Sequence, residues 1–173
     1  FDGLDDQTVS VDTLDDDVAG FTIEETDGST EVDESGSTDI FTIVLDAQPT
    51  NDVVVLATAS NDETEATVSG SITFTSENWD TPQTVTVTGV DDDLVDGDQT
   101  YDITISIVDT ISDDEFDGVA DQSVSSTTLD DDAPGFTIEE TDAATEVDES
   151  GSTDIFTVVL DAQPTSDVVL TIT

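Results

Sequence analysis

The sequence predicts an all-β protein: an antiparallel β-sandwich of about seven strands, set in a tandem repeat with a 115-residue period. Three observations carry that prediction. Val, Ile, Leu and Phe fall in short alternating runs between Gly, Pro, Asn and Asp turn signals, the period-2 signature of half-buried strands. No stretch shows the 3.6-residue period of a helix. The segment "LDDDVAGFTIEETDGSTEVDESGSTDIFTIVLDAQPTNDVV" from Leu14 returns as "LDDDAPGFTIEETDAATEVDESGSTDIFTVVLDAQPTSDVV" from Leu129, and 44 of the 58 overlapping positions are identical. A period this long is a whole domain rather than a solenoid unit.

The strands follow in order. "GFTIEET" sets Phe21 and Ile23 on one face, and "TDIFTIVLD" sets Phe41, Ile43 and Leu45 there before breaking at "AQPTND". "VVVLATAS" carries Val53, Val55, Ala57 and Ala59 in phase. "ATVSGSITFT" reads as one strand with Val68, Ile72 and Phe74, and "PQTVTVTGV" alternates Val85 and Val87 with outward Thr84, Thr86 and Thr88. "TYDITISIV" places Tyr101, Ile103, Ile105 and Ile107 on one face, and "QSVSSTTL" closes the period. Tyr101, early in its strand, is placed for a tyrosine corner of the kind seen in immunoglobulin-like sandwiches.

On this reading residues 18–132 form one complete domain. Residues 1–17 hold the last strand of a preceding repeat, and residues 133–173 the first strands of the next. The chain opens in mid-pattern at "FDGLDDQ" and reads as a slice of a longer protein. A partial sheet exposes its apolar face and its edge, so the flanks are expected to pair with neighbouring repeats or with other copies by strand complementation.

Charge narrows the function. The chain carries 45 Asp and Glu and no Lys, Arg or His. On composition alone such a chain leans towards disorder, but its strand patterning points to a folded protein that needs counter-ions. With no cationic side chain it offers nothing to release counter-ions from nucleic acid and is repelled by anionic lipid, so neither is an expected partner. No run of about 20 apolar residues is present, and no membrane insertion is expected. Without Cys there are no disulfides or thiolate metal sites, and without His no imidazole zinc sites or His-based hydrolase triads. Paired carboxylates can serve a glycosidase, but that chemistry needs a raised pKa in a concave, partly apolar site, which loops crowded with Asp do not offer. No enzyme activity is expected.

The acids are clustered. Within one period "VDESGST" supplies Asp33 and Glu34, "VDDDLVDGD" five Asp over residues 91–98, and the closing "LDDD" Asp130, Asp131 and Asp132, with an earlier copy at Asp15, Asp16 and Asp17. In a sandwich the turn after the fifth strand, the exit of the seventh and the loop between the first two can share one pole. Two unit charges 4 Å apart repel by roughly 4 kcal/mol at an effective dielectric of 20, against a total domain stability of ~5–15 kcal/mol. Such a pole needs a cation. Calcium, with 6–8 oxygen ligands in flexible geometry, suits crowded carboxylates better than octahedral, water-retaining magnesium. The alternative is that the acids are a solvated surface of halophilic type, the better reading for scattered acids such as Asp12 and Asp80. The EF-hand spacing fails, because a count from Asp91 puts Val95 at a ligand position. A glycine-rich nonapeptide repeat and an N-x-[ST] sequon are both missing. Thr73, Thr75, Thr84, Thr86 and Thr88 suggest an outward hydroxyl row for ice or glycans, but outward Thr is ordinary strand chemistry. Trp79 is expected to anchor a loop rather than stack on a sugar.

The glutamate of "VDESGST", the stretch "ITFTSENWDTPQTVTVTGVDDDLVDGDQTYDI" and the terminal "LDDD" together resemble a Calx-beta domain. This is the immunoglobulin-like calcium-binding module of sodium–calcium exchangers, which also recurs in very large bacterial surface proteins; the bacterial variety is the closer likeness and covers the whole period. Residue by residue, the resemblance implies a Ca2+ site built from Glu34, Asp91, Asp92, the Leu94 carbonyl, Asp96, Asp130, Asp131 and Asp132. Asp15, Asp16 and Asp17 would serve the preceding repeat, and Glu149 the next. Asp98 is expected to be only solvated. The family's "G-x-DY" ligand has no counterpart in "NDETEATVSG", where Asp62, Glu63 or Glu65 stand available, and a later acid falls on Gln99. Fewer or weaker sites are therefore expected. The resemblance implies a calcium-stiffened spacer in a secreted or cell-surface, adhesin-like protein. Two other readings stand beside it, a self-assembling extracellular filament and a halophilic module with non-specific cation screening.

Overall fold

A computed structural model of the chain describes residues 3, 5, 7–60 and 64–173. Nine strands make two facing sheets: β1 (Phe21–Glu25), β2 (Thr30–Asp33), β3 (Thr38–Leu45), β4 (Val53–Ala59), β5 (Ala66–Val68), β6 (Ser71–Phe74), β7 (Gln83–Gly89), β8 (Gln99–Ile107) and β9 (Gln122–Leu129). One sheet runs β1-β3-β7-β5 and the other β2-β9-β8-β4-β6. The inward residues are those the alternation predicts: Phe21, Phe41, Ile43 and Leu45, then Val53, Val55, Val85 and Val87, then Tyr101, Ile103, Ile105 and Ile107. Together with Phe74, Phe116 and Val124 they fill the space between the sheets.

Strand count and pairing differ from the sequence expectation at two places, for one reason. The chain changes sheet after the first strand, where the stretch expected as a loop forms the extra strand β2, and within the "ATVSGSITFT" strand, which breaks into β5 and β6. Gly28 (φ +79°) lies between β1 and β2, and Gly70 (φ +81°) between β5 and β6. Both adopt the left-handed conformation that lets the chain turn across the core. The first switch leaves β2 beside β9, and that pair is parallel, from Thr30↔Ser126 to Asp33↔Leu129. The other pairings are antiparallel. Tyr101 forms no tyrosine corner: its hydroxyl lies 3.0 Å from Ser126 Oγ and 3.2 Å from Thr128 Oγ1, side chains of the adjacent strand β9. The five Thr do not form a row either, since Thr73 belongs to β6 and Thr84, Thr86 and Thr88 to β7 in the opposite sheet. Trp79 packs against the core and its carbonyl accepts the Leu45 N–H at 3.1 Å, anchoring its loop.

The flanks follow their pairing partners. Residues 136–160 form a hairpin of β10 (Phe136–Glu140) and β11 (Phe156–Leu160) with the register of β1 and β3. Residues 7–17 contain no strand, contrary to expectation. Their counterpart β9 is made by pairing with β2 and β8, and residues 7–17 have neither beside them. The hairpin's apolar side remains open, with Phe136 and Ile138 more than half exposed and Phe156 and Val158 on the same face more than a third exposed. Among the described residues no helix is long and apolar enough to cross a membrane.

Candidate metal centre

The site grows out of strand alternation. On β2, Thr30 and Val32 face inward, and Glu34 is the next inward position; only 1 % of it is exposed. Its N–H donates to the Leu129 carbonyl at 3.1 Å, extending the parallel β2–β9 ladder by one residue. Asp33 builds the turn instead of pointing in. Its Oδ1 accepts the Ser35 N–H at 2.9 Å and its own N–H donates to Ser37 Oγ at 2.7 Å. The Ser35 hydrogen bonds hold the Asp33 carboxyl below its ordinary value.

β7 delivers the second segment. A Cβ on Gly89 would lie 2.1 Å from the Asp33 carbonyl oxygen, so glycine alone lets the end of β7 lie against the Glu34 turn. The Gly89 N–H donates to the Ser37 carbonyl at 3.0 Å. In the loop that follows, half-buried Asp92 accepts the Leu94 N–H on Oδ1 at 2.6 Å. β9 delivers the third segment. Asp130 acts as its brace, taking the Gly97 N–H on Oδ2 at 2.7 Å and the Asp132 N–H on Oδ1 at 2.9 Å.

Glu34, Asp92 and Asp132 each bring one carboxylate oxygen to a place where all lie within 4.8 Å of one another. That spread matches the diameter of a coordination shell with ligands at about 2.4 Å. Glu34 Oε2 and Asp132 Oδ2 are buried and receive no hydrogen bond. Burial, then the charges of Asp92, Asp130, Asp96 and Glu65, push the Glu34 carboxyl up to about 7. Burial also raises Asp132, with Asp131, Asp93, Asp130 and Asp91 adding to it. These are oxygen donors prepared for a hard cation and supplied with no counter-charge by the chain.

Each residue implied by the sequence has a definite place. Glu34, Asp92 and Asp132 converge; Asp96 and Asp130 act on Glu34 through their charge, and Asp91 and Asp131 on Asp132. Leu94 forms a parallel bridge to Gln163, whose N–H donates to the Asp93 carbonyl at 2.6 Å. Asp98 does more than meet solvent, since its Oδ1 accepts the Asp130 N–H at 3.3 Å. Gln99, where the resemblance calls for an acid, donates its side-chain amide to the carbonyls of Asp96 and Gly97. Asp15, Asp16 and Asp17 are exposed, and Asp15 and Asp17 border Gln48, Pro49 and Asp113 at the opposite pole of the sandwich. Glu149 is exposed in the turn of the partial repeat, not joined to this cluster. Asp62 and Glu63 lie outside the described residues. Asp93, which the sequence leaves unassigned, acts on Asp132 through its charge, and Glu65, one of the three acids available in "NDETEATVSG", acts on Glu34. Their position follows from the loop's path and from a strand start that periodicity alone does not locate.

No protein-family model matches the chain, and no curated protein does. Similar solved structures include the apo-form Calx CBD1 domain, at TM-score 0.45 and 16 % identity over 65 % of this chain and 98 % of that one. CBD12 from CALX1.2 is similar at TM-score 0.44 and 12 % identity over 81 % and 69 %. The E. coli chaperone DraB is similar at TM-score 0.45 and 9 % identity over 69 % and 59 %. At these scores the likeness carries no functional weight. What the chain itself presents is an all-β sandwich with an acidic, donor-starved pole at one end.

Proposed function

We propose that the Glu34–Asp92–Asp132 pole binds calcium, and that the chain is a calcium-stiffened structural repeat of an extracellular or cell-surface protein rather than an enzyme. One observation carries the reading: Glu34 Oε2 and Asp132 Oδ2 are buried without a hydrogen-bond donor, in a chain with no Lys, Arg or His. A buried carboxylate oxygen costs free energy unless it is paired or holds a metal. The spacer role is supported by the loop of residues 91–98, which contributes Asp92 to the pole and grips Gln163 of the following repeat through the Asp93 carbonyl. Calorimetric titration with calcium in high salt tests the reading. A saturable calcium isotherm that magnesium does not reproduce is expected, and the circular dichroism and melting temperature should shift on chelation. Replacement of calcium by sodium or potassium at matched ionic strength would favour non-specific screening instead.

The filament reading draws on a separate observation, the open apolar side of the β10–β11 hairpin. Fibres or a ladder of oligomers by light scattering would support it, and a monodisperse monomer would remove it.

A further inference from the structure

The segment "LDAQPT" occurs twice, at residues 45–50 and 160–165, and both copies fold alike. Asp46 and Asp161 donate their N–H groups to the Gly20 and Gly135 carbonyls at 2.9 and 3.0 Å. Their side chains accept the Thr22 and Thr137 hydroxyls at 2.8 and 2.9 Å. The turns differ in what they meet. The Gln163 N–H donates to the Asp93 carbonyl and the residue bridges Leu94, whereas exposed Gln48 has no such neighbour.

The first copy is nevertheless the more firmly held. Gln48 Nε2 donates to the Ser76 carbonyl at 2.8 Å, and buried Asp113 takes the Thr50 and Asn51 N–H groups at 2.7 Å each. Between these two anchors the Gln48 N–H has no partner among the described residues. Beside it lies a cavity of about 450 Å³ walled by Asp15 and Asp17. By the 115-residue offset these are the counterparts of Asp130 and Asp132, so the end of one acidic pole reaches Gln48 just as the loop of another reaches Gln163.

We infer that the Ala47–Thr50 turn is a docking socket for a second copy of the repeat placed ahead of residue 18, whose 91–95 loop sets its Asp93 carbonyl on the Gln48 N–H. Each repeat then carries a plug at its acidic pole and a socket at the opposite one. In a chain with no Lys, Arg or His, a neighbour's oxygen is received by amide or hydroxyl groups. A main-chain N–H suits this loop in particular, because it takes the carbonyl and leaves the Asp side chains free to face a cation. The pairing extends to Gln48 a contact that the chain already makes at Gln163, and it rests on the spacer reading of that joint.

The test compares the parent chain with an extended chain in which residues 18–132 are duplicated in tandem, both in calcium. Amide hydrogen exchange is read first, with no substitution in either chain. The socket predicts that Gln163 exchanges slowly in the parent, that Gln48 exchanges fast there, and that one of the two Gln48 amides of the extended chain slows. A disulfide then identifies the occupant, since the chain has no Cys of its own. Bridged strands lie about 4.8 Å apart, within the roughly 4.4–6.8 Å that a disulfide spans. Leu94→Cys in the first copy and Gln48→Cys in the second should close about tenfold faster or more than Glu77→Cys with the same Gln48→Cys, because only the first pair is held in place. Two Gln48 amides that both exchange as in the parent overturn the socket and leave the joint at Gln163 standing. A slowed Gln48 amide whose Cys pair closes no faster than the Glu77 control overturns the 91–95 loop as the occupant. Fast exchange at Gln163 in the parent chain overturns that joint and the spacer reading with it.

Discussion

Glu34 is the residue on which the pole turns. Its carboxyl, pushed up to about 7 by burial and by the surrounding acids, keeps its proton in the metal-free fold over a range where the unfolded chain, near the ordinary 4.5, has lost it. The folded state therefore binds more protons between those values, and stability falls as pH rises through that window. The shift corresponds to about 3 kcal/mol. Chelated protein should melt at lower temperature at pH 8 than at pH 5, and Glu34→Gln should flatten that dependence. Calcium must displace the same proton, so its affinity should drop on acidification below about 7. A chelated protein equally stable at both pH values would mean that Glu34 is already ionised and hydrated. Gly89 acts by having no side chain. Gly89→Ala drives a methyl into the Asp33 backbone, and a loss of about 3 kcal/mol or more is expected by denaturant titration, with calcium binding weakened because the Glu34 turn is displaced.

At the scale of elements, strand alternation identifies faces but not partners. Phe41, Ile43, Val85, Ile103 and Ile105 are legible as core because period 2 reports which side of a strand is dry. Glu34 stands out in the sequence as one acid of a cluster in the expected loop between the first two strands, and its inward direction after Thr30 and Val32 comes from the pairing of β2 with β9. The sheet switches at Gly28 and Gly70 are not legible, because alternation does not name the partner strand, and the parallel β2–β9 pair joins residues almost a hundred positions apart. The missing strand in residues 7–17 teaches the same lesson: "QTVSVDTL" closely matches β9 in sequence but has no β8 beside it. Nothing in the sequence sets Asp113 apart from the many other Asp. Only 3 % exposed, it accepts the N–H groups of Thr50, Asn51 and Glu115 and the Thr50 hydroxyl, clamping the β3–β4 turn to the end of β8. These bonds, the Thr50 hydroxyl first, hold its carboxyl below the ordinary value. Its contribution is therefore present above the unfolded pKa and lost as pH falls through the folded one. Asp113→Ala should cost about 2–4 kcal/mol in urea titration, since it removes four hydrogen bonds to a buried carboxylate. A loss under 1 kcal/mol would show that water replaces the carboxylate.

For the whole molecule, a formal charge of −45 makes salt and calcium separable agents. Screening by monovalent salt acts on every acid and saturates as the Debye length contracts to about 3 Å near 1 M. Calcium at the pole acts by mass action on the folded state alone and adds about 2.7 kcal/mol at a hundred times its dissociation constant. For a domain of this size that is a rise of about 10 °C on top of the salt plateau. The pole also reaches past its own sandwich, because Asp93 and Leu94 hold Gln163 through the N–H···O bond and the parallel bridge. Beside that joint lies a cavity of about 550 Å³ lined by Val95, Phe136, Leu160 and Pro164 among others, so few packed contacts back up the bond. If calcium orders the loop through Asp92, the Gln163 amide should exchange its hydrogen more slowly in calcium than in chelator at constant ionic strength. The Gln122 amide, at the far end of β9, serves as the internal reference. Slower exchange at Gln163 beyond any change at Gln122 marks transmission from the pole to the next repeat. Equal exchange in the two conditions means that the ion stabilises one sandwich and leaves the joint between repeats free to bend.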